Sequence, residues 1–345
     1  MIRLQRSLPV FASLVALALV PPVAAEAKNY PGTNKADKVQ GTTKNDKFKG
    51  KGGNDTFHGL AGNDKASGGG GKDKLVMGPG NDKAWGDDGD DQIAGGGGND
   101  FADGGTGNDT IVLNAGDDVA LGGDGNDTIS TGDGNDQIDA GPGDDNVNSG
   151  VGDDLIVGGD GNDVLKAIGG NDVIFGGAGD DRQLQGGDGN DYVEGGEGRD
   201  DLDGGSGNDV LMDGPGDDHL SADEGDDVLF VLEGKEDVYG EPGADTIYVI
   251  PDGQQDEIYC ADNNMPPNQG DPGDKLVFVK RADGTTDLDL PATNPKFAKL
   301  DHVNYCPPPV FISQAEFDSI YASYKKTPPT VASYPTIGRF LPGAL

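Results

Sequence analysis

An aspartate returns at every ninth residue through most of this chain. The series runs from Asp37 to Asp181, is displaced by one inserted residue, and continues from Asp191 to Asp227. Glu236 takes the next place. A fixed period of this kind is typical of repeat architectures, in which each short unit buries its apolar side only by stacking on its neighbours. The period therefore limits the fold to a stacked array.

Each nine-residue unit combines a turn with a strand. A glycine stands two places before the repeating Asp in every unit from Gly53 to Gly243. Glycine adopts the positive φ angles that tight turns need. The residue two places after the Asp is apolar in most units, as at Ile111 and Ile129, and its neighbours are often polar. This pattern predicts a three-residue strand with one side chain facing inward and two facing outward.

The repeating Asp residues also indicate a chemistry. A stacked row of carboxylates repels itself unless a cation neutralises it. Ca²⁺ takes six to eight oxygen ligands and accepts both carboxylates and backbone carbonyls. The chain has only three His and two Cys, so a hard cation fits better than zinc or copper. A role for Asp in turn formation alone stays open, although turns do not require a carboxylate at a fixed phase.

These units resemble the RTX, or haemolysin-type, calcium-binding nonapeptide, Gly-Gly-x-Gly-x-Asp-x-apolar-x. Full matches include Gly68–Val76, Gly95–Asp103, Gly122–Ser130 and Gly204–Met212. The resemblance implies an all-β fold, a right-handed parallel β-roll (a β-solenoid) over residues 50–250 with two nonapeptides per turn. It also implies multiple Ca²⁺ ions between successive turns, held by turn carbonyls and by the carboxylates of Asp55, Asp64, Asp73, Asp82, Asp91, Asp100, Asp109, Asp118, Asp127, Asp136, Asp145, Asp154, Asp163, Asp172, Asp181, Asp191, Asp200, Asp209, Asp218 and Asp227.

The charge balance of the chain supports a calcium-dependent fold. The net charge is −37 and 61 residues are glycine. Low hydrophobicity with a high net charge predicts an expanded chain when no cation offsets the charge. A ligand that binds only the folded form stabilises that form, so we expect a compact protein with Ca²⁺. The same acidity argues against a nucleic-acid partner, which needs a basic surface.

The N-terminus has the features of an export signal. Residues 1–27 combine a basic start, an apolar run from Leu8 to Val20 and small residues before cleavage at Ala25 or Ala27. The chain is therefore predicted to be secreted to the extracellular space, with no membrane span after cleavage. An uncleaved N-terminal membrane anchor is the alternative.

The first two repeats differ from the rest. Lys35 and Lys44 stand where later units have the turn glycine. Terminal repeats are usually atypical, so residues 28–49 are interpreted as an N-terminal cap that does not bind metal.

Alternate units are expected to form opposite faces of the roll. Between Phe57 and Ile129 the inward residues are large on one face and alanine on the other, which would keep the core filled. The alanine-bearing face also carries apolar outward residues: Val119, Leu121, Val157, Phe175, Met212 and Phe230. Such a surface predicts a cover, which is the C-terminal segment, a second copy, or a protein or cell-surface partner. A simple preference of strands for β-branched residues is the alternative.

The inserted residue falls within Arg182–Gln185. Gln183 occupies the position where an apolar residue belongs, so we expect Leu184 to turn inward through a local bulge. The calcium ladder is expected to weaken between Asp181 and Asp191.

The repeat pattern loosens beyond residue 250, and residues 251–326 are interpreted as a small C-terminal cap. Cys260 and Cys306 are the only cysteines in an apparently exported chain, which predicts a disulfide. Two free thiols are the alternative. Ser313 and Glu316 form a capping-box pattern ahead of a helix over 314–325. Residues 327–345 are predicted to be a disordered tail.

No catalytic motif stands out in the sequence. There is no His-Glu-x-x-His or Gly-x-Ser-x-Gly pattern, and the three His residues are isolated. We therefore expect no enzyme, and a calcium-binding protein with an extracellular structural or adhesive role. The alternative is a secreted enzyme or toxin-like protein with an unrecognised C-terminal active site.

Overall fold

The protein is a parallel β-solenoid built from two sheets. The structure, a computed structural model, describes residues 26–250, 254, 256–260, 273–280 and 310–326. Strands alternate between the two sheets along the chain, except that the last two lie in the same sheet, and every pairing between neighbours is parallel. The all-β repeat fold expected from the sequence is confirmed.

The first sheet has fifteen strands, which are stacked in chain order. They are β1 (Asn29–Pro31), β3 (Lys47–Gly52), β5 (Lys65–Gly70), β7 (Lys83–Asp88), β9 (Phe101–Thr106), β11 (Val119–Asp124), β13 (Gln137–Pro142), β15 (Leu155–Asp160), β17 (Val173–Ala178), β19 (Tyr192–Glu197), β21 (Val210–Met212), β23 (Val228–Val231), β25 (Thr246–Val249), β27 (Lys275–Lys280) and β28 (Val310–Ser313).

The second sheet has thirteen strands in the same kind of order. They are β2 (Lys38–Gln40), β4 (Thr56–His58), β6 (Lys74–Pro79), β8 (Gln92–Gly97), β10 (Thr110–Ala115), β12 (Thr128–Asp133), β14 (Asn146–Val151), β16 (Val164–Lys166), β18 (Leu184–Asp188), β20 (Asp201–Ser206), β22 (His219–Glu224), β24 (Asp237–Tyr239) and β26 (Glu257–Tyr259).

The core is a double row of inward side chains between the sheets. Ile111 pairs with Ile129 in the thirteen-stranded sheet, and Ala102 pairs with Ala120 in the fifteen-stranded sheet, so the register advances by eighteen residues per turn. These four side chains are buried, as are their counterparts along the roll. Large residues therefore face small ones in the first half of the roll, as predicted.

Most strands are longer than the sequence pattern indicated. The expectation of three-residue strands with one inward side chain was wrong, because most strands run for six residues and have two inward positions. In β10, for example, Ile111 and Leu113 both point into the core. The second position is often a glycine, as at Gly104, and a residue without a side chain hides the alternation that identifies a strand.

The inserted residue is absorbed as expected. Gln183 has φ 55° and is exposed, whereas Leu184 is fully buried. Lys166 then pairs with Gln185, nineteen residues later, and the eighteen-residue register resumes between Leu184 and Leu202.

A C-terminal helix covers part of the apolar face. Helix α1 (Gln314–Tyr324) begins with the predicted capping box at Ser313 and Glu316. Its Phe317 packs edge-on against Phe230 of β23, with ring centroids 6.0 Å apart. The C-terminal segment is thus the cover over β17 to β25, including Phe175, Met212 and Phe230. Val119 and Leu121 belong to a separate cluster with Trp85, Phe101 and Leu155.

Several expectations concern residues that the structure does not describe. Residues 1–25 of the predicted signal peptide, Cys306 of the predicted disulfide and the tail at 327–345 lie outside the described ranges. These expectations stay predictions. Within the described ranges, no helix is both long enough and apolar enough to span a membrane.

Candidate metal sites

The repeating Asp residues form two ladders, one along each edge of the roll. Each Asp is the residue that ends a turn and leads into a strand, and from Asp46 onward its side chain is buried. Its backbone N–H donates to Oδ1 of the Asp one turn further on. Asp109 donates to Asp127 at 2.7 Å, and Asp127 donates to Asp145 at 2.7 Å. One oxygen of each carboxylate is thereby fixed by the backbone of the preceding turn.

The second carboxylate oxygen has no such partner. In all twenty Asp residues proposed as ligands, from Asp55 to Asp227, Oδ2 is buried and accepts no hydrogen bond of normal geometry from the described residues. The hydroxyls of Thr131 and Ser149 nevertheless lie close enough to the carboxyls of Asp136 and Asp154 to oppose the rise in their pKa. A buried polar atom without a partner costs about 1–3 kcal/mol, and an unpaired charge costs more. A row of such atoms at one phase of the repeat indicates a missing positive partner.

Backbone carbonyls face the same space as these oxygens. A Cβ placed on Gly104 would lie 2.4 Å from Asp109 Oδ2 and 2.5 Å from the carbonyl oxygen of Gly122. The carboxylate and the carbonyl of the next turn thus converge above a residue without a side chain. Gly107, in the same loop, has φ 122°, which lets the turn close tightly.

The side chains near these loops do not by themselves form a complete set of metal ligands. Within the described part of the chain, no three Asp, Glu, His or Cys side chains come together as a metal-binding group. A cation at these loops would therefore take most of its ligands from backbone carbonyls. That mixture of carboxylate and carbonyl oxygens suits Ca²⁺.

Burial raises the pKa of the ladder carboxyls. The pKa of Asp82 and that of Asp118 rise to about 7, and that of Asp91 rises to about 8. Burial is the largest cause in each case; the donated backbone N–H opposes it, and neighbouring carboxylates add to it. Near neutral pH the ladder therefore holds charges that the fold alone does not compensate.

A family comparison identifies this arrangement. The model of the RTX calcium-binding nonapeptide repeat matches residues 31–66, 49–84, 67–102, 85–120, 112–147, 121–156, 148–182, 183–211 and 212–247. These overlapping matches span more than half of the chain.

The chain belongs to the RTX calcium-binding nonapeptide repeat family.

Among curated proteins, no match to the chain was found.

The first two RTX units differ from the later ones in how the second oxygen is satisfied. Oδ2 of Asp37 accepts hydrogen bonds from the backbone and hydroxyl of Thr33, at 2.6 and 3.0 Å. Oδ2 of Asp46 accepts the same pair of bonds from Thr42. The second oxygen of each of these carboxylates is thus satisfied by protein donors, which fits the interpretation of residues 28–49 as a cap. The threonines are a signal that the sequence analysis missed.

A second ladder of side chains, outside the first, was also missed. The residue just before each repeating Asp is mostly Asn or Asp, and its Oδ1 accepts a backbone N–H from the next turn. Asn108 Oδ1 accepts the N–H of Asn126 at 3.0 Å, and Asn126 Oδ1 accepts that of Asp144 at 3.2 Å. The recurrence of Asn and Asp one place before the RTX aspartate was the available signal. In the Asp ladders the earlier residue donates to the later one, whereas in this outer ladder of Asn and Asp the later residue donates to the earlier one.

The Asp ladder continues across the inserted residue. Asp163 donates to Asp181 at 2.9 Å, and Asp181 donates to Asp200 at 2.9 Å. On the other edge Asp172 donates to Asp191 at 2.7 Å. The structure therefore shows no break in the hydrogen-bond ladder where the sequence led us to expect weakening.

The C-terminal end of the roll departs from the repeat. Asp213 occupies an inward position that is glycine in most strands of its sheet, and its Oδ2 accepts the N–H of Leu232 at 2.8 Å. Complete burial raises the pKa of Asp213 well above its usual range. Burial, followed by a hydrogen bond with Asp256, raises the pKa of Glu236 to about 10. Extra carboxyl groups are thus buried where the regular repeats end.

Proposed function

We propose that this protein folds by binding several Ca²⁺ ions in the loops between successive turns of its roll. The observation that carries the proposal is the row of twenty buried Asp Oδ2 atoms without hydrogen-bond donors among the described residues. A divalent cation would supply the positive partner, and carbonyls such as that of Gly122 would complete its ligand shell. Asp55 to Asp227 are the proposed carboxylate ligands.

The proposed setting is extracellular. The expected signal peptide at residues 1–27 would direct export, and millimolar calcium outside cells would then complete the fold. The proposed role is structural or adhesive, because the repeat accounts for most of the chain and presents long regular surfaces. A secreted enzyme or toxin-like protein with a C-terminal site is the competing proposal.

The proposed disulfide would close the C-terminal cap. Cys260 follows β26 and is buried against the end of the core. A bond from Cys260 to Cys306 would restrict the unfolded chain and add about 4 kcal/mol of stability in the chain-entropy model. Mass spectrometry of the non-reduced, digested protein tests this pairing directly.

A calcium titration tests the central proposal. The mature protein, purified in chelator, is brought to millimolar Ca²⁺ while far-UV circular dichroism follows β structure. We expect a cooperative gain of β signal that Mg²⁺ does not reproduce, because Mg²⁺ demands octahedral geometry and keeps its waters. An unchanged spectrum at every calcium level would overturn the proposal.

A further inference from the structure

The apolar face continues beyond the strands that the C-terminal segment covers. Leu155 of β15 packs against the cluster under α1, and it also packs against the second cluster, which contains Val119 and Trp85. Leu121 belongs to that second cluster as well. The side chains of Leu155, Leu121 and Trp85 are half-buried. The two clusters therefore form one apolar surface that runs along the fifteen-stranded sheet from β25 to β7.

Along one register row of this surface, the apolar side chains lie on every second strand. They are Trp85 on β7, Leu121 on β11 and Val157 on β15. Asp103 on β9 and Asp139 on β13 stand between them in the row. Because neighbouring strands are about 4.8 Å apart, the apolar positions recur at about 9.6 Å. A segment that covers this row should present apolar side chains at the same interval.

Helix α1 directs the chain toward this part of the surface. Its first turn lies beside β25, where Phe317 packs against Tyr248 with ring centroids 6.3 Å apart. Past its other end, Lys326 donates its backbone N–H to the hydroxyl of Tyr192 on β19 at 3.1 Å. Lys325 leaves the helix with φ −57° and ψ 120°, near the polyproline II conformation. The rest of the chain therefore starts at β19, two strands from Leu155 in the stacking order.

The sequence that follows has a matching interval. Residues 327–345 contain four prolines, which favour polyproline II, a helix with three residues per turn and a rise of about 3.1 Å per residue. Four large apolar residues stand at every third position: Val331, Tyr334, Ile337 and Phe340. Polyproline II would place them on one side at intervals of about 9.3 Å. From Lys326 to Ile337 such a chain spans about 34 Å, more than the roughly 29 Å between β19 and β7.

A polar atom on the same surface lacks a partner. Gln137 of β13 stands in register between Val119 and Leu155. Its Oε1 is buried and accepts no hydrogen bond from the described residues. A polyproline II chain makes no internal hydrogen bonds, so its backbone N–H groups are free to donate to such an oxygen. A chain that crosses β13 would thus satisfy Gln137.

We propose that the C-terminal tail, residues 327–345, continues the cover along this apolar surface across β15 to β7. In that arrangement Tyr334 lies on Leu121 of β11, and Ile337 lies on the indole of Trp85. The direction of α1 and the matched interval favour the tail over a second copy of the chain. Composition alone predicts disorder in this segment, because composition takes no account of a complementary surface elsewhere in the fold.

Fluorescence of Trp85, the only tryptophan, tests the cover in the full-length mature protein with millimolar Ca²⁺. We expect I337D to raise the acrylamide quenching constant of Trp85 about twofold, because a carboxylate would not stay buried against the indole. The matched control is T336D, which places the same charge on another side of the three-residue turn and should leave quenching nearly unchanged. Equal quenching constants in the two variants would overturn the inference.

A photochemical cross-link tests where the tail lies and which chain it comes from. Tyr334→p-benzoylphenylalanine keeps an aromatic side chain in the full-length protein and makes it photoreactive. After irradiation we expect a cross-link to β11 in a product with the mass of one chain, located by mass spectrometry of the digest. A product with the mass of two chains would show that a second copy covers the surface, and would overturn the inference.

Circular dichroism of the same samples separates this inference from the proposed function. If the roll forms equally well in chelator, the proposed function fails, and the cross-link still tests the position of the tail. If the roll forms with calcium but no cross-link to β11 is found, only this inference fails.

Discussion

At the scale of a single residue, Asp127 shows why the repeat needs both carboxylate oxygens. Oδ1 is held by the backbone N–H of Asp109, and Oδ2 is buried beside Gly122 without a donor from the described residues. The first oxygen joins two turns, and the second is the proposed ligand of a cation. A residue with only one oxygen could perform one of these tasks.

The substitution D127N separates the two tasks. Asn keeps an oxygen that can accept the Asp109 N–H but loses the negative charge, so we expect the calcium-loaded roll to lose about 2 kcal/mol of stability. The number of bound Ca²⁺ ions should fall by one or two. Equilibrium dialysis and thermal unfolding in calcium measure both effects.

The matched control is D124N, three residues earlier in the same loop, where the side chain is exposed. It makes the same chemical change and should leave stoichiometry and melting temperature nearly unchanged. Equal effects from both variants would contradict the assignment of Asp127 as a ligand.

The pKa shifts predict opposite pH effects with and without calcium. In the calcium-free roll the pKa values of Asp82, Asp91 and Asp118 lie at about 7 to 8, above the ordinary Asp value near 4. Protons therefore stabilise the calcium-free roll below about pH 4, and this contribution is lost as the pH rises through about 8.

Calcium affinity should follow the reverse trend, because the cation competes with these protons. We expect more β structure at pH 5 than at pH 8 in chelator, and tighter calcium binding at pH 8 than at pH 6. Circular dichroism and calcium titrations at each pH give the two trends. A calcium-free protein whose β content rises with pH would contradict this account.

At the scale of the element, helix α1 shows how a short segment is held by a surface. Phe317 is buried, packs edge-on against Phe230, and stacks on Tyr321 at 5.6 Å. Lys325, just past the helix, pairs with Glu194 of β19 at 3.2 Å. An isolated helix of this length is marginal in water, so the apolar contact holds it in place.

Phe317→Ala should therefore release α1 from the sheet. Removing a buried phenylalanine costs about 3–5 kcal/mol, which exceeds what the remaining contacts of so short a helix supply. We expect the amides of 314–324 to lose protection from hydrogen exchange while the strands of the roll keep theirs. Ser319→Ala, on the exposed side of α1, is the control and should keep the helix protected.

The strands and the helix also show which features of the fold could be predicted from the sequence. The nine-residue period sufficed for the stacked sheets, the buried Asp rows and the large-against-small core, because each depends on a side chain that recurs at fixed phase. The six-residue strands were missed because glycines such as Gly104 occupy their second inward position. Met77 and Leu113, buried at that position, were two of the visible exceptions. The place where α1 docks depends on long-range packing that no local pattern contains.

At the scale of the whole molecule, the register predicts that residues can be deleted with least damage in whole turns of eighteen. Partners along each sheet are eighteen residues apart, and one repeat of nine residues crosses to the opposite sheet. Each row of side chains therefore belongs to every second repeat.

Deletions of one turn and of half a turn should consequently differ. Removal of residues 104–121 joins Asp103 to Gly122 and keeps every remaining strand in its own sheet. Removal of residues 104–112 moves the following strands across and stacks Ala120 under Ile93. We expect the longer deletion to unfold at the higher temperature in saturating calcium. A lower melting temperature for the longer deletion would show that the rows do not govern stability.

The two ends of the roll differ, because the second carboxylate oxygens of Asp37 and Asp46 accept hydrogen bonds from the protein itself. At the N-terminal end Thr33 and Thr42 supply donors from the chain itself, so that end can form without an ion. Each of the later turns up to Asp227 adds carboxylates whose second oxygen accepts no hydrogen bond of normal geometry from the described residues. The first two repeats could therefore fold first, and the Ca²⁺ ions proposed above would then stabilise each later turn as it is added. If the chain is exported N-terminus first, as proposed, these two repeats would reach the calcium-rich extracellular medium before the later repeats do.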